Sequence, residues 1–249
     1  MEKRLDWIDP IEKPHRKAKM QLNFEFQKRS GEMVVEAVSL SKKFGEHALF
    51  SKLNFHIKWG EHAAIIGANG SGKTTLIKMI LGLEQPTSGY VNLGENLIVS
   101  YFDQEQKGLN NRKTIYDELE ESTELSKNEA MYLLSKMLFK GDKSLKKVGN
   151  LSGGEKNRVM LSKLVYTKAN LLILDEPTNH LDIPSIEVLE DALSAFRGTV
   201  IFITHDRRLL SKVADRIIEL KDGEATLYPG GYDYYLMKNE AAEETAITS

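Results

Sequence analysis

Two kinds of hydrophobic pattern alternate along this chain. Apolar and polar residues alternate at Val34–Val38, Leu53–Ile57 and Tyr90–Leu93, which predicts strands with one solvated face in an antiparallel layer. Continuous apolar runs at Leu171–Leu174 and Thr199–Ile203 predict parallel strands that are covered on both faces. The chain is therefore expected to combine two different types of sheet.

Apolar residues at helical spacing fill the intervals between these strands. Helices are predicted at about 154–168, 183–196 and 206–214, where they would separate the continuous apolar strands. A more charged stretch, 114–140, also has helical spacing and predicts a small helical insertion. Strands that alternate with helices indicate an α/β fold.

These patterns divide the chain into three parts. Residues 32–235 are predicted to form the main domain, with a helical subdomain at about 106–150, and 236–249 a helical or disordered tail. Residues 1–31 are predicted to be an extension outside the main domain. In it Leu22, Phe24 and Phe26 alternate with polar residues and predict a strand that docks on another part of the protein.

The amino-acid composition excludes several classes of protein and site. The chain has 249 residues and no cysteine, which excludes disulfides and thiolate metal sites. Its formal net charge of −2 gives no global indication of a nucleic-acid or membrane partner. No apolar run reaches the roughly 18 residues of a membrane-spanning helix, and the N-terminus lacks the apolar core of a signal peptide. We therefore expect a cytoplasmic protein with no integral membrane segment in this chain.

A glycine-rich stretch carries the strongest chemical signal. Gly67–Thr74 fits the phosphate-loop spacing G-x-x-x-x-G-K-[ST], between a predicted strand at His62–Ile66 and a predicted helix at Thr75–Leu81. Backbone N–H groups of such a loop surround phosphates, Lys73 reaches the outer phosphates, and a threonine hydroxyl meets Mg²⁺. The residues assigned here to a nucleoside triphosphate are Gly67, Asn69, Gly70, Ser71, Gly72, Lys73, Thr74 and Thr75, with Thr74 also assigned to the metal.

A second motif places two acids at the end of a buried strand. Asp175 and Glu176 follow Leu171–Leu174, at the sheet edge where ligands of open α/β sheets bind. Asp175 is predicted to meet Mg²⁺ through oxygen, directly or through water. Glu176 is predicted to orient or deprotonate an attacking water. The alternative is that one of the acids only caps the next helix.

A third motif, Leu151-Ser152-Gly153-Gly154-Glu155, precedes a predicted helix. Ser152 as N-cap and Glu155 three residues later form a capping box, and the helix start offers N–H groups to an anion. Ser152, Gly153, Gly154 and Glu155 are therefore predicted to bind phosphate, although such a sequence alone is weak evidence.

The three motifs in this order resemble the nucleotide-binding domain of the ATP-binding cassette (ABC) family over nearly all of residues 33–230. The resemblance implies a P-loop NTPase with a RecA-like parallel-sheet core, an antiparallel β layer and a small helical subdomain. It implies hydrolysis of ATP with Mg²⁺, and a second cassette as partner. Four more positions match the family: Phe44 for stacking on adenine, Gln104 for Mg²⁺ and the attacking water, Asp182 for the dimer interface, and His205 for the γ-phosphate.

One stretch indicates a subfamily. Asp175–Asp182, with Thr-Asn-His-Leu-Asp at its end, resembles the ABC-F subfamily, whose members act on the ribosome. The basic segment 9–29 resembles the end of the linker between two ABC-F cassettes. Tyr228–Tyr235 resembles the segment after the second cassette, although Gly231 stands where asparagine is more usual. The resemblance implies the C-terminal cassette of an ABC-F protein, with the ribosome and its RNA as partner.

Three other functions stay open at this point. The first is the ATP-hydrolysing subunit of an ABC membrane transporter. The second is a DNA-repair or chromosome-structuring ATPase of the same superfamily, and the third is an ATP sensor without enzymatic activity. A role in antibiotic resistance and one in ordinary translation are equally compatible with the sequence.

Overall fold

The computed structural model describes residues 20–103, 109–123 and 125–247. Its strands are β1 (Met33–Phe44), β2 (His47–Lys58), β3 (His62–Gly67), β4 (Ser88–Leu93), β5 (Val99–Phe102), β6 (Leu171–Asp175), β7 (Thr199–Ile203), β8 (Arg216–Lys221) and β9 (Glu224–Tyr228). Its α-helices are α1 (Lys73–Ile80), α2 (Ile115–Ser122), α3 (Lys127–Lys136), α4 (Gly153–Tyr166), α5 (Ile183–Ala195), α6 (Arg207–Val213) and α7 (Tyr232–Ile247), and two short 3₁₀ helices lie at Gly141–Leu145 and Val148–Asn150.

The strands form two sheets, as the hydrophobic patterns predict. A three-stranded antiparallel sheet has the order β2-β1-β4, and a six-stranded sheet has the order β5-β6-β7-β3-β8-β9. In the larger sheet β5, β6, β7, β3 and β8 are parallel and β9 is antiparallel to β8. The carboxyl ends of β3, β6 and β7 therefore meet at one edge.

The core strands are buried on both faces, as their continuous apolar runs predict. On β6, Leu171 and Ile173 face the core shared with α1 and the antiparallel sheet. Leu172 and Leu174 face the opposite core, which includes residues of α4, α5 and the helical insertion. Each of these four side chains is at most 1% exposed. Burial from both sides fixes the position of the residues that follow the strand.

The predicted helical insertion is present. Helices α2 and α3 and the two 3₁₀ helices occupy 115–150, and a side-chain pair joins the insertion to the main domain. The ammonium of Lys163 on α4 lies 2.7 Å from a carboxylate oxygen of Glu118 on α2. The other oxygen of Glu118 accepts a hydrogen bond from the backbone N–H of Asn110, at 3.0 Å. Since Glu118 is only 4% exposed, this carboxylate is paired as burial requires.

The strand predicted around Leu22, Phe24 and Phe26 is wrong, although the segment does dock. Residues 20–26 have no regular secondary structure, and single backbone hydrogen bonds hold the neighbouring residues. The ring of Phe24 packs edge-on against Phe196, with 6.1 Å between ring centroids, and Phe26 packs against Trp59 at 5.2 Å. The alternating rings therefore insert into the protein surface without a partner strand. Residues 1–19, which carry much of the basic segment, lie outside the described residues.

None of the helices within the described ranges is long and apolar enough to cross a membrane.

Candidate functional site

A cavity of about 540 Å³ opens at the carboxyl edge of the parallel strands. The loop after β3, the end of β6 and the residues after β7 all contribute to its wall. The predicted site residues that line it are Phe44, Asn69, Gly70, Gly72, Lys73, Thr74, Thr75, Asp175, Glu176 and His205. The tertiary structure thus brings together residues that are up to 161 positions apart in sequence.

The loop between β3 and α1 depends on glycine for two different reasons. Gly67 has φ +148°, and a Cβ there would lie 2.4 Å from the carbonyl oxygen of Leu220 on the neighbouring strand. Gly70 has φ +83° with open space around it, so only its backbone conformation requires glycine. Gly72 is the N-cap of α1 and supplies no side-chain hydrogen bond to the helix. The positive end of α1 therefore faces the cavity without a side-chain cap.

The Lys73 side chain binds the backbone of its own loop. Its ammonium donates hydrogen bonds to the carbonyl oxygens of Gly67 at 2.9 Å and Ala68 at 3.0 Å. Burial lowers the pKa of Lys73, and the carboxylates of Glu176 and Asp175 oppose that shift. The site thus places one cation opposite two carboxylates, with space for a charged ligand between them.

Asp175 is a buried carboxylate whose oxygens lack a partner. The residue is 1% exposed, and neither oxygen has a hydrogen-bond partner among the described residues. Burial raises the pKa of Asp175. The Thr74 hydroxyl, which is close but outside hydrogen-bond geometry, and the Lys73 ammonium oppose the increase only in part, and Asp103 adds to it. An unpaired carboxylate beside a hydroxyl suits a hard cation that takes oxygen ligands, so these residues fit Mg²⁺.

A magnesium site of this kind needs few protein ligands. The described residues contain no group of three or more His, Cys, Asp or Glu side chains that could hold a metal. Mg²⁺ at phosphate sites uses one or two carboxylates, water and the phosphates themselves, so a pair such as Asp175 and Thr74 is sufficient.

Glu176 occupies a strained position that faces His205. Its φ of +49° is unusual for a residue with a side chain, and its N–H donates to the carbonyl oxygen of Ile203 on β7 at 3.0 Å. A carboxylate oxygen lies 3.5 Å from Nε2 of His205, whose side chain is 60% exposed. Burial raises the pKa of Glu176, and the nearby His205 partly opposes the increase. A carboxylate with this pKa shift is suited to accept a proton.

The Leu-Ser-Gly-Gly-Glu motif lies outside this cavity. Its capping box is present: the backbone N–H of Glu155 donates to Ser152 Oγ at 3.2 Å, and the N–H of Ser152 donates to the Glu155 carboxylate at 3.0 Å. A Cβ on Gly154 would lie 2.5 Å from the carbonyl oxygen of His180. None of Ser152, Gly153, Gly154 and Glu155 lines the cavity. The second predicted anion site is therefore not part of the cavity that contains the first.

Four further predicted residues do not line the cavity or lie outside the described residues. Gly67 and Ser71 belong to the loop but do not line this cavity, and Ser71 lines a neighbouring one. Gln104 lies outside the described residues. Asp182 caps α5 by accepting a hydrogen bond from the N–H of Ser185 at 3.1 Å.

The sequence analysis missed three lining residues: Leu49, Asn179 and Ile203. Asn179 follows the acid pair within a stretch used only to identify the subfamily, and its proximity to that pair was the available signal. Leu49 and Ile203 belong to predicted or observed strands, and no local pattern distinguishes them from core residues.

Known proteins resemble this chain in both sequence and structure. A model of the ABC transporter family matches residues 50–179. ABC transporter F family member 5 of Arabidopsis thaliana is 44% identical over 232 residues, which cover 92% of this chain and 34% of that protein. The energy-dependent translational throttle protein EttA of Haemophilus influenzae is 38% identical over 213 residues, which cover 83% of this chain and 38% of that protein. The chain thus spans little more than a third of the length of these relatives.

A solved structure shares the fold. It is a dimeric ATP-binding cassette in a post-hydrolysis state, bound to ADP and Pi, with a TM-score of 0.68 and 25% identity. The match covers 78% of this chain and 97% of the solved one. The expected P-loop NTPase architecture, with parallel core, antiparallel layer and helical subdomain, is thereby confirmed.

Proposed function

Because the chain belongs to the ABC transporter family, as a cassette of the F-subfamily type, we propose that it binds ATP with Mg²⁺ and hydrolyses it together with a second cassette. One observation supports this most strongly. A single cavity unites the phosphate loop, Asp175, Glu176 and His205, yet it lacks every residue of the Leu-Ser-Gly-Gly-Glu motif. The described part of the chain therefore supplies two separate half-sites, one at the phosphate loop and one at the Leu-Ser-Gly-Gly-Glu helix start.

In the proposed site, Lys73 and the start of α1 bind the phosphates. The ammonium of Lys73 would exchange its two carbonyl partners, Gly67 and Ala68, for phosphate oxygens. Phe44, which is 52% exposed at the rim of the cavity, would stack on adenine. Asp175 and Thr74 would hold Mg²⁺, which neutralises charge that develops on the phosphates when it is bound. Gln104 is proposed as a further contact to Mg²⁺ and water.

Glu176 is proposed to act as the general base. Burial raises the pKa of Glu176 toward neutral pH, which makes its carboxylate a better acceptor of a proton from water. His205, 3.5 Å away, would hold Glu176 in place and contact the γ-phosphate. Asn179, whose N–H donates to the carbonyl oxygen of Glu176 at 3.2 Å, supports the unusual backbone conformation of that residue.

The second cassette would complete the site with its own Leu-Ser-Gly-Gly-Glu helix start. In this chain that helix start has a complete capping box and exposed Ser152 at its tip. A second positive helix end would neutralise charge that Lys73 and α1 leave on the triphosphate. ATP would then join the two cassettes, and loss of the γ-phosphate would release them. The solved neighbour, a dimeric cassette with ADP and Pi, supports this arrangement.

For the whole protein we propose a ribosome-associated role in translation. Two similarities support this proposal. One relative, EttA, is an energy-dependent translational throttle protein, and another is a member of the ABC transporter F family. Such a partner would place the protein in the cytoplasm. A role in antibiotic resistance is a narrower version of the same proposal. Co-sedimentation with ribosomes in the presence of a non-hydrolysable ATP analogue tests the ribosome binding that both versions require.

The ATPase proposal is tested by Glu176→Gln, which keeps the shape of the side chain but removes the base. We expect unchanged ATP affinity, a fall in phosphate release of about 100-fold or more, and accumulation of an ATP-bound dimer. Nucleotide titration, phosphate release and light scattering measure the three quantities. Glu25→Gln, an exposed carboxylate in the N-terminal segment, is the control and should match the unmodified protein. Unchanged turnover by Glu176→Gln would refute the assigned role.

A further inference from the structure

A buried lysine lies against the aromatic ring at the rim of the cavity. The ammonium of Lys42 is 4.7 Å from the centroid of the Phe44 ring, within the range of a cation–π contact. Lys42 itself is 8% exposed, which is rare for a lysine. The mechanism proposed above does not use this residue.

Two acceptors fix the position of the Lys42 ammonium. It donates to a carboxylate oxygen of Glu84 at 2.6 Å and to the carbonyl oxygen of Gln85 at 2.7 Å. The hydrogen bond from Lys42 is the main reason that the pKa of Glu84 is lowered, so Glu84 stays ionised at neutral pH. A cation with two short hydrogen bonds has little freedom to move, and it therefore presents a fixed charge to the ring.

The Phe44 ring contacts both Lys42 and the cavity. Phe44 lines the cavity and is half exposed, whereas Lys42 does not line the cavity. The cation therefore holds the ring without occupying the cavity itself. An aromatic ring that is held in this way is preorganised for a flat ligand that enters the cavity.

We infer that Lys42 is a positioning residue for nucleobase binding: it fixes the Phe44 ring and makes that ring a better stacking surface. This inference rests on the proposed nucleotide function. An exposed aromatic side chain loses rotamer freedom when it stacks, and a contact formed before binding removes part of that cost. The ammonium also polarises the π-electrons of the ring, which favours stacking with an electron-rich purine.

The same contacts connect the base end of the site to its phosphate end. Glu84 follows α1, the helix that begins at Lys73, and its N–H donates to the carbonyl oxygen of Lys78 in the last turn of that helix. The path runs from the ring of Phe44 through Lys42 and Glu84 to the end of α1. The distance between the stacking ring and the phosphate loop is thereby fixed before a nucleotide arrives.

The test separates binding of the base from binding of the phosphates. Dissociation constants for ATP and for inorganic tripolyphosphate, which has no base, are measured for the unmodified chain and for Lys42→Met, Lys42→Arg and Phe44→Ala. We expect Lys42→Met to weaken ATP binding about threefold to tenfold and to leave tripolyphosphate binding unchanged. Lys42→Arg keeps a cation over the ring and should restore most of the ATP affinity.

Two controls make the result specific. Lys43→Met removes the neighbouring, exposed lysine, whose backbone N–H donates to Thr87 Oγ1 at 3.1 Å, and should leave both dissociation constants unchanged. In a Phe44→Ala background, Lys42→Met should add no further loss of ATP affinity, because the ring through which it acts is gone.

Three results would overturn the inference. Lys42→Met could weaken ATP and tripolyphosphate equally, which would mean that Lys42 acts on phosphates or on folding. It could leave ATP affinity unchanged, or its effect could persist without Phe44. Failure of the unmodified chain to bind either ligand would instead refute the proposed nucleotide function.

Discussion

At the scale of single residues, several groups in the candidate site lower the stability of the folded chain. Asp175 is a buried carboxylate with unpaired oxygens, and Glu176 has a positive φ. Burial raises the pKa of both. Such features lower stability, and they are retained where function requires them.

The pH dependence of stability provides a first prediction. Because the pKa of Asp175 is raised above its ordinary value of 3.8, the folded chain binds this proton more readily than the unfolded chain does. The resulting penalty is complete above the folded-state pKa, shrinks as pH falls through it, and disappears below about 4. Asp175→Asn should therefore stabilise the nucleotide-free protein at pH 7.5, by on the order of 1 kcal/mol, and the gain should shrink toward pH 5.

Urea unfolding of both proteins across this pH range measures the effect, with the exposed Asp142→Asn as control. A variant that is less stable than the unmodified protein throughout the range would show that Asp175 is paired and not orphaned.

The two reasons for glycine in the phosphate loop predict different costs. Gly67→Ala places a Cβ 2.4 Å from a backbone oxygen of Leu220, so we expect a loss of more than about 2 kcal/mol and loss of nucleotide binding. Gly70→Ala introduces no steric clash, so we expect only the cost of a left-handed backbone, a loss of about 1 kcal/mol in the free energy of unfolding. Denaturant unfolding with nucleotide titration compares them, and equal costs would contradict the distinction.

At the scale of elements, the start of α4 is held by the loop before α5. Gly154 packs so near His180 that a Cβ on it would lie 2.5 Å from the His180 carbonyl oxygen, and the side chain of Asn157 donates to the carbonyl oxygen of Asn179. Asn179 also lines the cavity. The helix start that would face a second cassette is therefore mechanically connected to the cavity of its own chain.

This connection predicts separate effects on binding and hydrolysis. Gly154→Ala brings a Cβ to 2.5 Å from the His180 oxygen and must shift the helix start. We expect phosphate release to fall at least tenfold while ATP binding by the single chain is kept, because the cavity does not include Gly154. Gly153→Ala, whose Cβ would meet only side-chain carbon of His180 at 3.3 Å, is the matched control and should have a smaller effect. Equal effects of the two substitutions would argue against this connection.

At the scale of the whole molecule, the cavity that holds Lys73 and Glu176 includes no residue of the Leu-Ser-Gly-Gly-Glu helix start, among the residues that the structure describes. We therefore expect the ATPase rate per chain to rise with protein concentration and to be very low in dilute solution. A mixture of Lys73→Ala and Ser152→Ala chains should recover one complete composite site, and hence partial activity, where each variant alone is inactive. A rate per chain that is independent of concentration would contradict the two-cassette proposal.

Much of the fold followed from local sequence because the patterns were strong. Alternating and continuous apolar runs distinguished the two sheets, and the capping box correctly marked Ser152 as the N-cap of α4. The docked segment at Phe24 was mistaken for a strand because alternation records which side chains are buried and carries no information about hydrogen-bond partners. Local pattern likewise could not show that Leu49 and Ile203 line the cavity, because apolar strand residues at the cavity and in the core have the same sequence pattern.

The sequence by itself determined the chemistry: a glycine loop with Lys73 and Thr74, an acid pair after a buried strand, and a capped helix start, each encoded within a few adjacent residues. Only the tertiary structure decided which of these groups share a cavity. It placed Asp175 and His205 beside the loop and kept Ser152 apart, because the order of the parallel strands, and not distance along the chain, sets which ends meet. The fixed cation beside Phe44 likewise became visible only when β1 and the turn after α1 were brought into contact.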